Sequence, residues 1–314
     1  MTGLVTLAVP CRSDEPALGR TLAAALASWG QAPASATHGL EVMVCLNGAE
    51  GPRPRADLLA FAREASVPLA EVDLDRADGA APAPPSPLGV TALVTRRAGK
   101  PLAWNALRRC ARGPLALFVD ADVSFAADAF ALLLGALEAN PLAALASAKT
   151  TCAPRPGLFE GIMAAPYGVD FPNLSPQLYA ARVAALPPAM PEDLIEPERW
   201  LELMLGCHRI IRVPAARVAV RLPGTRPDFF RQRIRIEMGK LQLARQYPEL
   251  AARGAPQPRG RAALASLGPG ALARLAAYLG LRSAAHAVAW WRWRRGATAG
   301  IWRQAATTKR WDPA

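Results

Sequence analysis

Leu115-Ala116-Leu117-Phe118-Val119-Asp120-Ala121-Asp122 is the stretch on which the reading of this chain turns. An apolar run leads straight into two carboxylates spaced two apart. A short apolar run without polar alternation predicts a buried strand. Strands of that kind belong to parallel sheets covered by helices, and ligands there bind beyond the carboxyl ends of the strands. The carboxylates of Asp120 and Asp122 therefore stand where a ligand is expected. Hard oxygen donors at such a place suit Mg²⁺ or Mn²⁺, which takes one or two carboxylates and completes its shell with substrate phosphates. Asp-x-Asp is common, however, and a strand-end turn with Asp122 capping the next helix is the plainer explanation of the pair alone.

Working outward, strand and helix signals alternate. Leu4–Val9 reads as a strand ending at Pro10. Pro16–Trp29 has helical spacing, with Leu18, Leu22 and Leu26 on one face. Glu41–Leu46 reads as a strand stopped by the Asn47-Gly48 turn signal. Ala56–Ala65 reads as helix and Pro68–Asp73 as strand. Ala77–Gly89, rich in Pro and Ala, reads as a surface loop. Pro101–Arg112 and Ala126–Ala139 are helical, and Ala143–Lys149 is a strand. This alternation predicts an α/β domain built from βαβ units. Beyond residue 150 the pattern loosens. Gln177–Leu186 is partly extended, Pro191–Arg199 is acidic, and Trp200–Leu205 is helical. Ile210–Leu222 reads as two short strands around Pro214, and Asp228–Tyr247 as a helix.

Basic residues precede the Asp-x-Asp strand: Arg96, Arg97 and Lys100, with Asn105 about one turn into the following helix. Cations there suit a diphosphate, although a solvated basic patch has the same composition. The loop Pro10-Cys11-Arg12-Ser13-Asp14-Glu15, between the first strand and a helix, is placed to cradle a nucleotide. The five cysteines are widely spaced, with no metal-ligand pairing, and read as buried thiols. Met1–Pro10 has no basic n-region or long apolar core, so it reads as a strand rather than a signal peptide. His208, after Cys207, reads as an ordinary partly buried histidine.

Taken in order, these segments resemble the family 2 glycosyltransferases, inverting enzymes of the GT-A fold. Val5–Glu15 with Leu18-Gly19-Arg20-Thr21-Leu22 resembles their opening. Gly99-Lys100-Pro101-Leu102-Ala103-Trp104-Asn105-Ala106 resembles their Gly-Lys…Asn segment, and Phe118–Asp122 their Asp-x-Asp strand end. Leu178–Arg182 resembles the strand before their acidic catalytic loop. Gln232-Arg233-Ile234-Arg235-Ile236 resembles a Gln-x-x-Arg-Trp element whose Trp is here Ile236. The resemblance spans about residues 3–250.

The resemblance implies an α/β GT-A fold: a mixed, Rossmann-like sheet flanked by helices. Residues 1–150 would form the nucleotide-sugar half and 151–252 the acceptor and base half. It implies transfer of one hexosyl unit from a nucleotide-diphosphate sugar, UDP being the expected nucleotide, to a hydroxyl acceptor that is a glycan or lipid-linked. Asp120 and Asp122 would hold Mg²⁺ or Mn²⁺. Pro10, Cys11, Arg12, Glu15, Asn47, Lys100, Asn105, Asp120, Gln232 and Arg235 would bind the donor. Asn47 stands where many members carry an acid. The general base lies in the acidic segment. Asp193 and Glu198 stand level for that role, with Glu196 behind them. With Ile236 in place of Trp and no channel-forming helices, single-sugar addition is expected rather than polymerisation.

Charge is distributed unevenly. The chain of 314 residues has a net charge of +12, and residues 253–314 hold ten Arg and Lys309 against Asp312 alone, which is +10 of that total. The same segment holds five of the eight tryptophans. Ser283–Trp311 reads as a helix with Trp290, Trp293, Ala297 and Ile301 on one face and Arg292, Arg295 and Arg303 toward the other. Ala271–Leu281 is a second apolar segment. A basic helix with Trp on its apolar side suits an anionic membrane surface. Packing of the same Trp residues on the catalytic domain is the competing reading. The expected location is cytoplasmic and peripheral on the inner face of the cell membrane, serving the cell envelope. Nucleic acid is not an expected partner. The alternatives to a glycosyltransferase are a nucleotidyltransferase on a related fold, which would want a Gly-rich first loop absent from Pro10–Glu15, and a degenerate nucleotide-sugar-binding module.

Overall fold

The computed structural model describes residues 3–48, 52–76, 89–152, 157–168, 174–253 and 267–296. Residues 77–88 of the expected Pro- and Ala-rich loop, and the tail from 297 with Ala297, Ile301, Trp302, Arg303 and Trp311, lie outside them.

The described strands are β1 (Gly3–Arg12), β2 (His38–Asn47), β3 (Leu69–Asp73), β4 (Val90–Thr95), β5 (Leu115–Val119), β6 (Ser124–Phe125), β7 (Leu145–Cys152), β8 (Leu178–Arg182) and β9 (Ile210–Val220). They form one mixed sheet in the order β3-β4-β2-β1-β5-β8-β7-β9-β6. The β3-β4-β2-β1-β5 part is parallel, and β8 then pairs antiparallel with both β5 and β7. β1, β2, β4 and β5 are mostly buried runs, as strands covered on both faces are, whereas the edge strand β3 is half-exposed with Glu71 and Asp73 outward.

Four expectations are corrected. β1 does not stop at Pro10 but continues to Arg12, in register with Asn47 of β2. On its other side β5 pairs only up to Ala8, so Pro10 lies past that ladder and its missing N–H breaks no bond there. β4, which the sequence reading took for no strand at all, is the apolar run Val90–Thr95, and it separates β3 from β2. Ile210–Val220 is one strand through Pro214, not two. The helix expected from Ala126 begins at Ala129, after Ser124–Phe125, a short edge strand that the sequence reading left unassigned.

Helices α1 (Leu18–Gly30), α2 (Pro52–Glu64), α3 (Lys100–Cys110) and α4 (Ala129–Ala139) accompany the parallel strands. α1 buries Leu18, Thr21, Leu22, Ala25 and Ser28, a stripe at three- and four-residue spacing. α3 packs on β1 and β2, and α4 packs on α1 and β8. Away from the carboxyl ends, Glu41 is fully buried. It is held by the Thr6 hydroxyl at 2.9 Å and by the Arg112 guanidinium at 2.6 Å. A buried carboxylate persists only when paired in this way.

The chain groups into two compact units. The first comprises Met1–Lys149, Leu174–Asp193 and Cys207–Val218; the second comprises Thr150–Asn173, Leu194–Gly206 and Ala219–Ala314. The second contains α5 (Leu158–Ala164), α6 (Pro197–Leu205), α7 (Arg226–Gln246), α8 (Pro248–Arg253) and α9 (Pro269–Arg294). The Thr225 hydroxyl caps α7 by accepting the Asp228 N–H at 3.3 Å.

The expected tail helix begins earlier than its periodicity suggested. Ala271–Leu281 and the segment after Ser283 are one continuous helix, α9. Its buried residues are Leu275, Tyr278, Ala285 and Ala289. Of these, Tyr278, Ala285 and Ala289 pack in clusters with Phe229, Ile234 and Met238 of α7. Trp293 joins that packing, whereas Trp290 and Trp291 remain 46% and 50% exposed. The expected Trp290–Trp293 face is thus divided between two surroundings. Among the described residues no helix is long and apolar enough to cross a membrane.

Candidate functional site

The register of the parallel strands brings their carboxyl ends to one edge of the first unit. Arg12 stands beside Asn47, Asn47 beside Thr95, and Ala8 beside Phe118. The loops that follow carry most of the expected donor residues.

Asn47, only 2% exposed, ties two of these loops together. Its Nδ2 donates to the Cys11 carbonyl at 2.8 Å, and its Oδ1 accepts the Gly99 N–H at 3.1 Å. A neutral amide suits this place because one end must donate and the other accept; a carboxylate offers only acceptors. Arg12 forks onto Asp14, with both bonds 2.9 Å. Glu15, expected in the nucleotide pocket, is buried and accepts the Ala17 N–H at 3.1 Å, so it shapes the entry into α1. Cys11 is a buried cysteine outside any disulfide, and its Sγ donates to the Arg12 carbonyl at 3.2 Å.

At the end of β5, the Lys100 ammonium lies 2.6 Å from Asp120 Oδ1 and also reaches the Pro176 carbonyl at 3.3 Å. The Asp120 N–H continues the ladder to the Gln177 carbonyl at 2.9 Å. Thr21 on α1 donates to the carbonyls of Ala121 at 2.8 Å and Val123 at 3.1 Å, which fixes the backbone on both sides of Asp122. Below the turn, Trp104, Phe118 and Tyr179 stack with centroids 5.7 and 5.0 Å apart, and Trp104 Nε1 donates to the Tyr179 hydroxyl at 2.8 Å. Asp120 and Asp122 therefore stand on a rigid platform.

Other expected donor residues also have partners within the protein. Both ends of the Asn105 amide are used on Met190, with Nδ2 donating to its carbonyl at 2.8 Å and Oδ1 accepting its N–H at 2.7 Å. Asn105 thus anchors the start of the acidic segment. Arg97 pairs with Glu192 of the same segment. Asp75, which the sequence reading passed over, accepts the Arg96 N–H and the Thr95 hydroxyl, each at 2.7 Å. The Arg96 N–H, then Thr95, hold its carboxyl below the usual carboxylate range.

In the second unit, the segment between the base candidates lies against α7. Arg235 Nη1 donates to the Ile195 carbonyl at 3.2 Å and forms an ion pair with Glu196 at 3.6 Å. Gln242, 5% exposed, accepts the Ile195 N–H at 2.9 Å. Glu196 is the N-cap of α6, and Glu198 lies in its first turn. Asp193, the last residue of its segment in the first unit, is exposed, and so is Gln232 on α7. Gly239 and Gln242 were missed by sequence reasoning. The available signal was a glycine inside a strongly helical stretch, on the same face as Arg235.

No family model and no curated protein sequence matches the chain. Among solved structures, the mannosyltransferase PcManGT from Pyrobaculum calidifontis, in complex with GDP-Man and Mn²⁺, matches with a TM-score of 0.52 at 20% identity, over 95% of this chain and 81% of that one. The chain has the GT-A fold. S. aureus TarS 1–349 in complex with UDP matches at 13% identity and a TM-score of 0.48, over 93% of this chain and 91% of its own. Glucosyl-3-phosphoglycerate synthase from Mycobacterium tuberculosis, in complex with phosphoglyceric acid, matches at 15% identity and a TM-score of 0.47, over 82% of each chain. At these identities the likeness is one of fold.

Within this GT-A fold, the Asp120 and Asp122 pair can be tested against a divalent metal by its donor chemistry. No group of three or more His, Cys, Asp or Glu converges among the described residues, so a cage made by protein alone is not formed. Two hard carboxylates on one strand end do fit Mg²⁺ or Mn²⁺, which keeps waters and draws its remaining oxygens from a bound diphosphate.

Proposed function

We propose that this protein is an inverting glycosyltransferase that moves one sugar from a nucleotide-diphosphate donor to a hydroxyl acceptor. The observation that carries this reading is Asp120, paired with Lys100 at 2.6 Å at the carboxyl end of β5 and followed by Asp122, in a chain with the GT-A fold. The loops after β1 and β2, joined by Asn47, receive the nucleotide. Asp122 and Asp120 would hold Mg²⁺ or Mn²⁺, and Lys100 keeps the Asp120 carboxylate in orientation. When bound, the cation neutralises negative charge growing on the leaving diphosphate. The acceptor hydroxyl attacks the anomeric carbon, the bond to the diphosphate oxygen breaks, and a carboxylate of the acidic segment takes the hydroxyl proton. Asp193 and Glu198 remain the leading bases, and the Arg235 ion pair of Glu196 supports ranking it behind them.

The exposed side of α9 supports a second part of the proposal, contact with an anionic membrane surface where a lipid-linked acceptor is reached. Arg294 lies over the Trp290 ring at 4.8 Å and Arg295 over Trp291 at 4.0 Å. Amphipathic rings beside guanidinium groups suit the headgroup layer.

The test is a panel of nucleotide sugars with Mn²⁺, scored for transfer and for hydrolysis. Asp122→Ala should reduce turnover at least about 100-fold, the scale set by loss of an electrostatic stabiliser. Unchanged turnover in Asp122→Ala would overturn the reading.

A further inference from the structure

One dipeptide in the second unit is gripped by three successive turns of a single helix. Arg235, Gly239 and Gln242 lie at i, i+4 and i+7 of α7, and therefore on one face. Gln242 Oε1 accepts the Ile195 N–H at 2.9 Å, and Arg235 Nη1 donates to the Ile195 carbonyl at 3.2 Å. Both backbone groups of one residue outside regular structure are thus satisfied by side chains. Between them Gly239 removes the obstacle to close approach. A Cβ there would run into Glu196 Cγ, and would lie 3.1 Å from Glu196 Cβ and 3.2 Å from Ile195 Cβ. A glycine inside a helix loses about 1 kcal/mol against alanine, so its presence in a 21-residue helix has a packing reason.

The geometry points to Gly239 and Gln242 as positioning residues for the proton-accepting segment. By holding Ile195–Glu196 flat against α7, they set the path of the chain into α6, whose first turn carries Glu198 three residues after Ile195. This inference rests on the glycosyltransferase reading, since only there does the segment supply a base. A carboxylate misplaced by an ångström or less serves poorly, because proton transfer needs hydrogen-bond reach. Arg235 shares the grip, and its ion pair ties Glu196 to the same helix.

The experiment compares Gln242→Leu, Gln242→Glu and Gly239→Ala in the full chain, with transfer measured against pH. Gln242→Leu removes the acceptor for the Ile195 N–H at nearly constant volume, whereas Gln242→Glu keeps an acceptor oxygen. Gln242→Leu and Gly239→Ala should lower kcat about tenfold or more while the donor KM changes less than about twofold, and should move the acidic limb of the kcat profile. Gln242→Glu should recover most of the loss. Amide exchange supplies a readout independent of turnover, and in Gln242→Leu the Ile195 amide should exchange at least about tenfold faster. A purely structural role would lower the melting temperature and leave the pH limb in place, which overturns the inference. An active wild type with both variants at full kcat overturns this inference alone. A wild type that uses no nucleotide sugar overturns the functional reading and this role with it, even if the exchange result holds.

Discussion

Replacing Asn47 by aspartate changes one atom type at the point where two loops of the first unit are joined. The native amide donates to the Cys11 carbonyl at 2.8 Å and accepts from the Gly99 N–H at 3.1 Å while 2% exposed. Aspartate keeps the acceptor, loses the donor, and sets a carboxylate against the Cys11 carbonyl oxygen. A buried carbonyl left without its partner costs about 1–3 kcal/mol, and confining a charge at this depth adds to that, for an expected loss of about 2–4 kcal/mol. In a unit of this size that corresponds to a melting shift of roughly 4–16 °C. The sign with pH is fixed as well. A charged form disfavoured by burial raises the folded-state pKa of the new carboxyl, and once protonated its O–H can donate to the Cys11 carbonyl. The loss is therefore full at pH 8 and smaller at pH 5. Differential scanning fluorimetry at both pH values, with Asn47→Ala beside it, reads this directly. The alanine variant loses both bonds and should be destabilised by about 2–5 kcal/mol at either pH. Melting within about a degree of wild type in both variants, or an aspartate variant that is worse at pH 5, would refute the clamp.

Gly113→Ala should leave little soluble protein, because the new Cβ would lie 2.6 Å from the Leu4 carbonyl, 2.8 Å from that of Leu115 and 2.9 Å from the Thr6 nitrogen, all backbone atoms that cannot swing aside. Glu237 is buried against Lys240 at 2.8 Å and against Arg282 and His286 at 3.2 Å. Burial pushes its carboxyl up, but Lys240, Arg282 and His286 outweigh this and hold it below 4.5. Its stabilisation is present above that value and lost as pH falls through the lower folded pKa. Urea melts of wild type and Glu237→Gln should differ at pH 7 and converge once the pH has fallen below the lowered folded-state pKa of Glu237. Exchanging Trp290 and Trp291 for alanine should weaken flotation with phosphatidylserine-rich vesicles without unfolding α9, whose buried stripe lies elsewhere. Undiminished flotation would remove the membrane proposal.

The strand that carries the candidate site was legible because it depends on short-range pattern. An apolar run ending in two carboxylates identifies a strand end from local spacing alone, and β5 spans the expected residues. Whether the residues around it face a ligand or one another was not legible. Asn105, Arg97 and Glu15 have the residue types of a donor site. Their partners are Met190, Glu192 and the Ala17 N–H. Two of those three partners lie more than eighty residues away in the chain, where spacing carries no information.

The sequence by itself determined four of the five parallel strands, β1, β2, β3 and β5, their order of appearance, and the concentration of basic residues and Trp in the tail. Each is a property of residue type and periodicity, which the local backbone obeys. Only the tertiary structure decided that Val90–Thr95 is a strand of the sheet, that α9 turns Tyr278 and Ala285 rather than Trp290 toward α7, and that Gly239 and Gln242 grip Ile195. These depend on which surfaces meet, and the missing Cβ of Gly239 acquires meaning only when the Ile195 and Glu196 side chains come within 4 Å of it.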